Sequence, residues 1–403
     1  MKFIHTGDLH LASPFLGIEN IDESLKKRLY NSTFQAFKII VDAAITQKVD
    51  FMIISGDIYD NDQHSIAAED FFIQQCQRLN EQSIPVYLEY GNHDFHIVDD
   101  KLNYLPDNVF CFKNHIETKR LVLNTGQIIN LTGFSYAQKW ITEDMANQFP
   151  LKSNCDYQIG ILHGALKTNN PQQDHYAPFT IEELQNKNYD YWALGHIHKH
   201  QTLSKDPSIV YCGNPQGRHK NEAGLHGYYL VNEINGKLVP TFQEIRQITW
   251  NNISINLQNE IDSTDDLINF IKIEIKRQID SNLDILHMID LQINDHNYLT
   301  NDLKILIQNH SLLTSLRNQQ YDENICIYNL FINQENIALG NDIDQKYWSL
   351  AENDILTNEE LWKIAEPLMK NNFYLNDYLQ NPDHLQKIKE QVKTIIKDRD
   401  FEI

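Results

Sequence analysis

The amino-acid sequence predicts an α/β protein with a smaller α+β domain and a helical region behind it, on three observations. Six short apolar segments, 2–7, 50–55, 85–89, 128–133, 157–162 and 189–194, read as strands and end in polar residues, while helical patterns fall between them. Between 24 and 47, Leu25, Leu29, Phe37, Ile40, Ala44 and Ile45 recur at helical spacing, so a long amphipathic helix follows the first strand. Tyr228 to Val231 and Leu238 to Ile245 flank Asn235-Gly236, a strong turn signal, and read as a hairpin closing a first domain, 1–245.

The remaining elements follow in order. A second helix is expected around 66–79. Beyond 245, Ile253, Ile255 and Leu257 alternate as in a half-buried strand, 264–278 has helical period, and 286–293 and 325–332 are extended. These outline a small α+β domain, 246–335. The region 336–403 is expected to be mostly helical. It ends in an apolar stripe within 384–397, formed by Leu385, Ile388, Val392, Ile395 and Ile396, of the kind that lines a core or docks a partner.

Composition narrows the function classes. At 403 residues, with 41% hydrophobic and 22% charged residues, the chain has apolar material for more than one packed core. It opens Met1-Lys2-Phe3-Ile4-His5 without a basic leader, and no run approaches the roughly 20 apolar residues of a spanning helix, so a cytoplasmic protein without membrane contact is expected. Cys76, Cys111, Cys155, Cys212 and Cys326 are scattered, which suggests core thiols rather than a disulfide framework or a zinc knuckle. The net charge of −21 is spread along the chain: 29 acidic against 20 basic residues up to 245, and 26 against 14 after it. Neither part reads as a basic nucleic-acid clamp.

Chemistry concentrates where strands should end, in Asp8-Leu9-His10, Gly56-Asp57, Gly91-Asn92-His93-Asp94, His163-Gly164 and Gly195-His196-Ile197-His198. Each alone is a common turn or a hydrogen-bonded histidine. Together they are specific, because strand ends of an α/β sheet converge on one crevice. The set supplies carboxylates, imidazoles and one carboxamide, donors suited to two divalent ions. A carboxylate can bridge two cations roughly 4 Å apart, and Asp57 is the expected bridge. Mixed oxygen and nitrogen donors without clustered thiols favour manganese or iron, with zinc also compatible.

These segments, in this order, resemble the signature of the calcineurin-like metallophosphoesterases. The fuller strings Thr6-Gly7-Asp8-Leu9-His10, Ser55-Gly56-Asp57-Ile58-Tyr59-Asp60 and Gly91-Asn92-His93-Asp94 are similar to the SbcD-type DNA repair exonucleases. Gly213-Asn214-Pro215-Gln216-Gly217-Arg218-His219 and Gly227-Tyr228 resemble the YhaO-like subgroup of these. The resemblance covers about the first 245 residues and implies a layered metallophosphoesterase sandwich, mixed sheets flanked by helices, followed by a capping domain. It places Asp8, His10, Asp57 and His198 on one metal, and Asp57, Asn92, His163 and His196 on the other. His93 matches the histidine that protonates the leaving oxygen while water activated at the metals attacks the phosphorus. Asp60 stands where eukaryotic and archaeal relatives tend to carry histidine, and follows the bacterial pattern. As an aspartate it suits orienting His93, holding a water or capping a turn. Asp94 is expected behind the ligands, and His64, His96 and His200 at the surface. Arg218 and His219 are candidates for a DNA phosphate.

The resemblance further implies DNA as substrate, an SMC-like ATPase bound by the C-terminal helical region, and a homodimer formed through the helices at 24–47 and 66–79. A phosphodiesterase or phosphatase acting on a nucleotide or other small substrate is the alternative, consistent with the acidic balance. A non-catalytic scaffold of the same fold is a third reading, against which stands the complete set of competent ligands.

Overall fold

A strand covered on both faces must be apolar at every position, and that rule sets the first two layers. The computed structural model describes residues 1–334 except 14, 16–17, 19–20, 61–64, 96–104, 169–173, 280–284, 296–297 and 319–322, and beyond 334 only 357, 361–363, 365, 384–386, 388–389 and 392. In β1 (Lys2–Thr6) and β2 (Phe51–Ser55), Phe3, Phe51 and Ile53 enter one core while Ile4, Met52 and Ile54 enter another. Alternate residues of one strand thus serve two cores, as the twofold side-chain period requires.

The first sheet adds β3 (Val86–Glu89), β4 (Val109–Cys111), β11 (His226–Ile234) and β12 (Lys237–Ile245), in the order β12-β11-β1-β2-β3-β4. Its β1–β4 pairs are parallel, and the β11–β12 hairpin is antiparallel. The second sheet runs β5 (Glu117–Val122), β6 (Ile128–Gly133), β7 (Tyr157–His163), β8 (Tyr191–Gly195), β10 (Ser208–Tyr211) and β9 (Gln201–Lys205). Its inner face meets the first sheet through Leu131, Ile159, Ile161, Ala193 and Val210.

Helices cover both outer faces. α1 (Glu23–Gln47) packs Phe37, Ile40 and Ala44, and α2 (Ile66–Glu81) packs Phe72 and Cys76, on the first sheet. Asp22 caps α1 by accepting from Leu25 N at 2.8 Å. α3 (Met145–Gln148) and α4 (Ile181–Gln185) lie in the core that buries Trp192 and Phe134 behind the second sheet. The result is a mixed α/β sandwich. The sequence did not signal β4, β5, β9 and β10: β4 has three residues and β10 four, β5 alternates exposed with half-buried positions, and β9 is mostly polar.

A third sheet, β13 (Ile248–Asn256), β14 (Leu286–Asp295) and β15 (Ile325–Gln334), packs on α5 (Thr264–Gln278), α6 (Asn301–Gln308) and α7 (Ser311–Asn318) around Ile253, Ile271, Leu291 and Leu312. Trp250, Met288 and Leu29 of α1 form a smaller shared core. The chain divides into two compact units, Met1–Asn333 and Gln334–Ile403, so the change of sheet between Ile245 and Ile248 falls within the first. Of the C-terminal stripe, Leu385, Ile388 and Val392 are helical and Leu385 is buried, while Ile395 and Ile396 lie outside the described residues, as do His64 and His96. Among the described residues no helix is long and apolar enough to cross a membrane. Cys76, Cys212 and Cys326 are buried and Cys111 and Cys155 half-buried, all as free thiols.

Two glycines give a direct test of this packing. A Cβ at Gly195 would lie 1.8 Å from the Ser55 carbonyl oxygen of the other sheet, whereas at Gly236, with φ +79° in the β11–β12 turn, it would meet nothing within 4 Å. Gly195→Ala is expected to cost about 3 kcal/mol or more through overpacking, and Gly236→Ala about 1 kcal/mol through backbone strain alone. Urea unfolding midpoints check this; equal effects would contradict the close approach of the sheets.

Candidate metal centre

The carboxyl ends of parallel strands from both main sheets point at one place. Asp8 and His10 follow β1, Asp57 follows β2, Asn92 and His93 follow β3, His163 ends β7, and His196 and His198 follow β8. The loops after β1 and β2 run side by side: Asp8 N donates to Gly56 O (2.9 Å), His10 N to Asp57 O (3.1 Å) and Leu11 N to Ile58 O (2.8 Å). To turn there, Asp8, His10, Asp57 and His196 take left-handed φ values of 48°, 43°, 51° and 97°. That conformation is costly for residues with a Cβ and concentrates at functional sites.

The seven expected ligands meet. Ligand atoms of Asp8, His10 and His198 lie within 4.8 Å of one another, as do those of Asp8, Asp57 and His163. Asp57 Oδ2 is 3.3 Å from His163 Nε2 and 3.9 Å from His10 Nε2. Asn92 Oδ1 sits 2.9 Å from His163 Nε2 and 3.2 Å from His196 Nδ1. The His196 backbone N–H donates to both carboxylate oxygens of Asp8 at 3.0 Å. Tyr176 lies over the His196 ring, with centroids 4.4 Å apart.

Neighbouring groups set the imidazole tautomers. His163 Nδ1 donates to the Ser55 carbonyl (3.0 Å) and His198 Nδ1 to Glu222 Oε1 (2.6 Å), which turns each Nε2 into the cluster. His198 Nε2 then faces His10 Nε2 at 3.1 Å. Burial, then the nearby Arg218, drops His10 to a pKa of about 3, and burial with the charge of His163 does the same for His196, keeping both neutral. Neutral imidazole is the form that binds a cation.

The carboxylates report a need for charge. Burial pushes Asp8 up to about 6 and Asp94 up to about 7, although Asp94 accepts from Ile58 N (2.7 Å) and Gly91 N (2.6 Å). Burial works against the charged form of His163 too, but Asp57, by charge and hydrogen bond, and then Asp8 carry it up to about 10. Burial also raises Asp57, yet the His163 charge and hydrogen bond hold it well below the carboxylate range. A buried cluster of this composition, acidic and rich in neutral nitrogen donors, fits divalent cations.

Around it stands a ring that the motifs only partly announced. Asp60 Oδ1 lies 3.2 Å from His93 Nδ1 and 3.6 Å from His10 Nδ1, and Asp60 Oδ2 accepts from Ser13 Oγ at 2.6 Å. His93 N donates to Asp57 Oδ1 (3.0 Å). Burial lowers the pKa of His93, but Asp60 and Asp57 raise it above its usual value on balance. Glu222, unmarked by any motif, accepts from Arg218 N (2.7 Å) and Asn214 Nδ2 (3.0 Å) as well as His198. Only its place three residues after His219 could have signalled it.

Arg218, read above as a candidate for a DNA phosphate, lies beside the metal centre. The residue is 9% exposed, and its guanidinium donates to Ser13 Oγ (3.0 Å) and Asp60 Oδ2 (3.2 Å). His219 remains more exposed, 3.3 Å from Glu222. His200 is half-buried, stacked on Phe242 at 3.9 Å.

Comparison with known proteins agrees with this geometry. Residues 1–200 match the Calcineurin-like phosphoesterase family. The chain is 31% identical over 402 residues to the uncharacterized metallophosphoesterase YhaO of Bacillus subtilis (strain 168), covering 98% of this chain and 97% of that protein. It is 28% identical over 249 residues to the DNA double-strand break repair protein Mre11 of Methanocaldococcus jannaschii, covering 57% of this chain and 62% of that one. With the Mre11 of Archaeoglobus fulgidus the identity is 26% over 243 residues, 55% and 52% of the two chains. A match along almost its whole length, with ligand groups for two divalent ions gathered at the strand ends, shows that this chain belongs to the calcineurin-like phosphoesterases, a family of metal-dependent enzymes.

Proposed function

We propose that this chain is an SbcD-type DNA repair exonuclease that hydrolyses DNA phosphodiester bonds with two manganese ions. The observation that carries the reading is the pairing of a buried carboxylate, imidazole and carboxamide cluster with a half-buried imidazole, His93, held by Asp60 at 3.2 Å. Similarity to the Mre11 repair proteins supports DNA as the substrate.

Asp8, His10, Asp57 and His198 would hold one ion, and Asp57, Asn92, His163 and His196 the other. Two cations there supply an activated water and offset charge on the phosphoryl oxygens. The rest falls to the chain. Ser55 and Glu222 fix the His163 and His198 rings so that each Nε2 faces inward. Asp60 faces Nδ1 of His93 at 3.2 Å, so Nε2 is the atom left to pass a proton to the leaving sugar oxygen. Asp60 and Asp57 raise the pKa of His93, which favours the protonated ring.

The same reading includes partners. An SMC-like ATPase would bind the region beyond 336, with the helical Leu385, Ile388 and Val392 as its apolar contacts. Self-association through α1 and α2 would cover Tyr30 and Ile66, which are exposed. The net charge of −21 favours a second reading, turnover of a nucleotide or another small phosphodiester.

Manganese-dependent cleavage of end-labelled linear DNA, beside a chromogenic phosphodiester, separates these. Wild-type protein is expected to degrade the DNA; turnover of the small ester with intact DNA would favour the second reading. His93→Ala is expected to lose about 10²- to 10⁴-fold in DNA cleavage while keeping its bound manganese. Asp57→Asn is expected to lose manganese and cleavage together. Undiminished cleavage by either purified variant would overturn the assignment.

A further inference from the structure

One buried cation stands beside the metal centre without supplying it a ligand. Arg218 lies in the loop between β10 and β11, and its charge is divided between two carboxylates that approach the metal centre from different elements. One is Asp60, after β2, which receives the guanidinium at 3.2 Å and stands against His93. The other is Glu222, whose Oε1 is 3.7 Å from the second terminal nitrogen, whose Oε2 accepts the Arg218 backbone N–H at 2.7 Å, and which holds His198 at 2.6 Å. The same terminal nitrogen is 3.5 Å from His198 Nδ1.

We propose that Arg218 is a positioning residue whose fork locks Asp60 and Glu222 in one geometry, so that the proton donor His93 and the ligand His198 are fixed relative to each other. The inference rests on the roles given above to His93 and His198. A planar guanidinium has donors at fixed directions and can serve two carboxylates at once; an ammonium carries the same charge without that geometry. Asp60 without Arg218 would keep Ser13 and the two histidines as neighbours but lose its full positive charge, and could rotate away from His93. Glu222 would keep His198, Asn214, His219 and the backbone N–H of residue 218 but lose the cation 3.7 Å from its Oε1.

The loop that carries Arg218 is itself braced. Gln216 exchanges two hydrogen bonds with the Ile248 backbone (3.1 and 3.0 Å), and Trp250 Nε1 donates to Gly217 O (2.9 Å). The third sheet therefore holds the loop from behind, and the side chain has little freedom to find another partner. Outer residues of this kind typically change metal affinity about 10- to 100-fold when removed.

The test uses the full chain with Arg218→Ala, Arg218→Lys, Asp60→Asn and the Asp60→Asn/Arg218→Ala double variant. Manganese affinity is measured by calorimetry on metal-stripped protein. Turnover is compared on two small esters of different leaving group, a thymidine p-nitrophenyl phosphodiester and thymidylyl-thymidine. p-Nitrophenolate departs without a proton, whereas the nucleoside alkoxide needs one. Arg218→Ala is expected to weaken manganese binding about 10-fold and to lose more than about 10-fold extra on thymidylyl-thymidine than on the p-nitrophenyl ester. Arg218→Lys, which keeps the buried charge and guards against failure to fold, is expected to show the same leaving-group bias in weaker form. The double variant is expected to show no greater bias than Asp60→Asn alone. Unchanged manganese affinity together with equal losses on both esters would overturn the proposal. If the wild type turns over neither ester, the cleavage of linear DNA described above decides the proposed function, and manganese affinity decides for Arg218: a tenfold loss supports the fork, no change overturns it.

Discussion

Everything at the site leans on the buried carboxylate of Asp57. Its Oδ2 lies within reach of two imidazoles, 3.3 Å from His163 and 3.9 Å from His10, while its Oδ1 accepts the His93 backbone N–H at 3.0 Å. An ionised carboxylate at 1% exposure is tolerable only with positive charge and hydrogen bonds around it. That requirement explains the left-handed turn at Asp57 and the neighbouring turns at Asp8 and His10. It also explains why strands of two separate sheets must end within a few ångströms of each other. The absence of side chains at Gly56, Gly91 and Gly195 permits this, since a Cβ at Gly91 would lie 2.2 Å from Asp57 Oδ1.

The fold was legible where apolar runs were long. All six segments read as strands in the first domain are strands, and the Asn235-Gly236 turn joins β11 to β12. α1 was legible because its buried positions keep strict helical spacing from Leu29 to Ala44. Edge strands escaped notice because solvent on one side relaxes the pattern, as in β5 with Glu117, Lys119 and Arg120. α6 and α7 escaped because eight residues are two turns, too few for a period to stand out.

At the site, residues at strand ends could be read because topology alone gathers them. The residues that hold them could not. Glu222 and Ser13 sit in loops whose paths depend on packing, and nothing about one serine or one glutamate signals what it will face. Arg218 is a further case: nothing about a lone arginine in a Gly- and Asn-containing loop signals that its guanidinium will meet Asp60 at 3.2 Å. The third sheet then closes behind it through Gln216, Trp250 and the smaller core around Met288. A domain remote in sequence thereby contributes to the rigidity of a centre to which it supplies no ligand.

In the proposed site the Asp57 carboxylate ties two cations together. Electron paramagnetic resonance during manganese titration of metal-stripped protein reads this out, because two ions bridged by Asp57 couple magnetically while separate ions do not. Two manganese ions per chain with the spectrum of a coupled pair are expected. A single ion, or two that give only the isolated six-line signal, would contradict it.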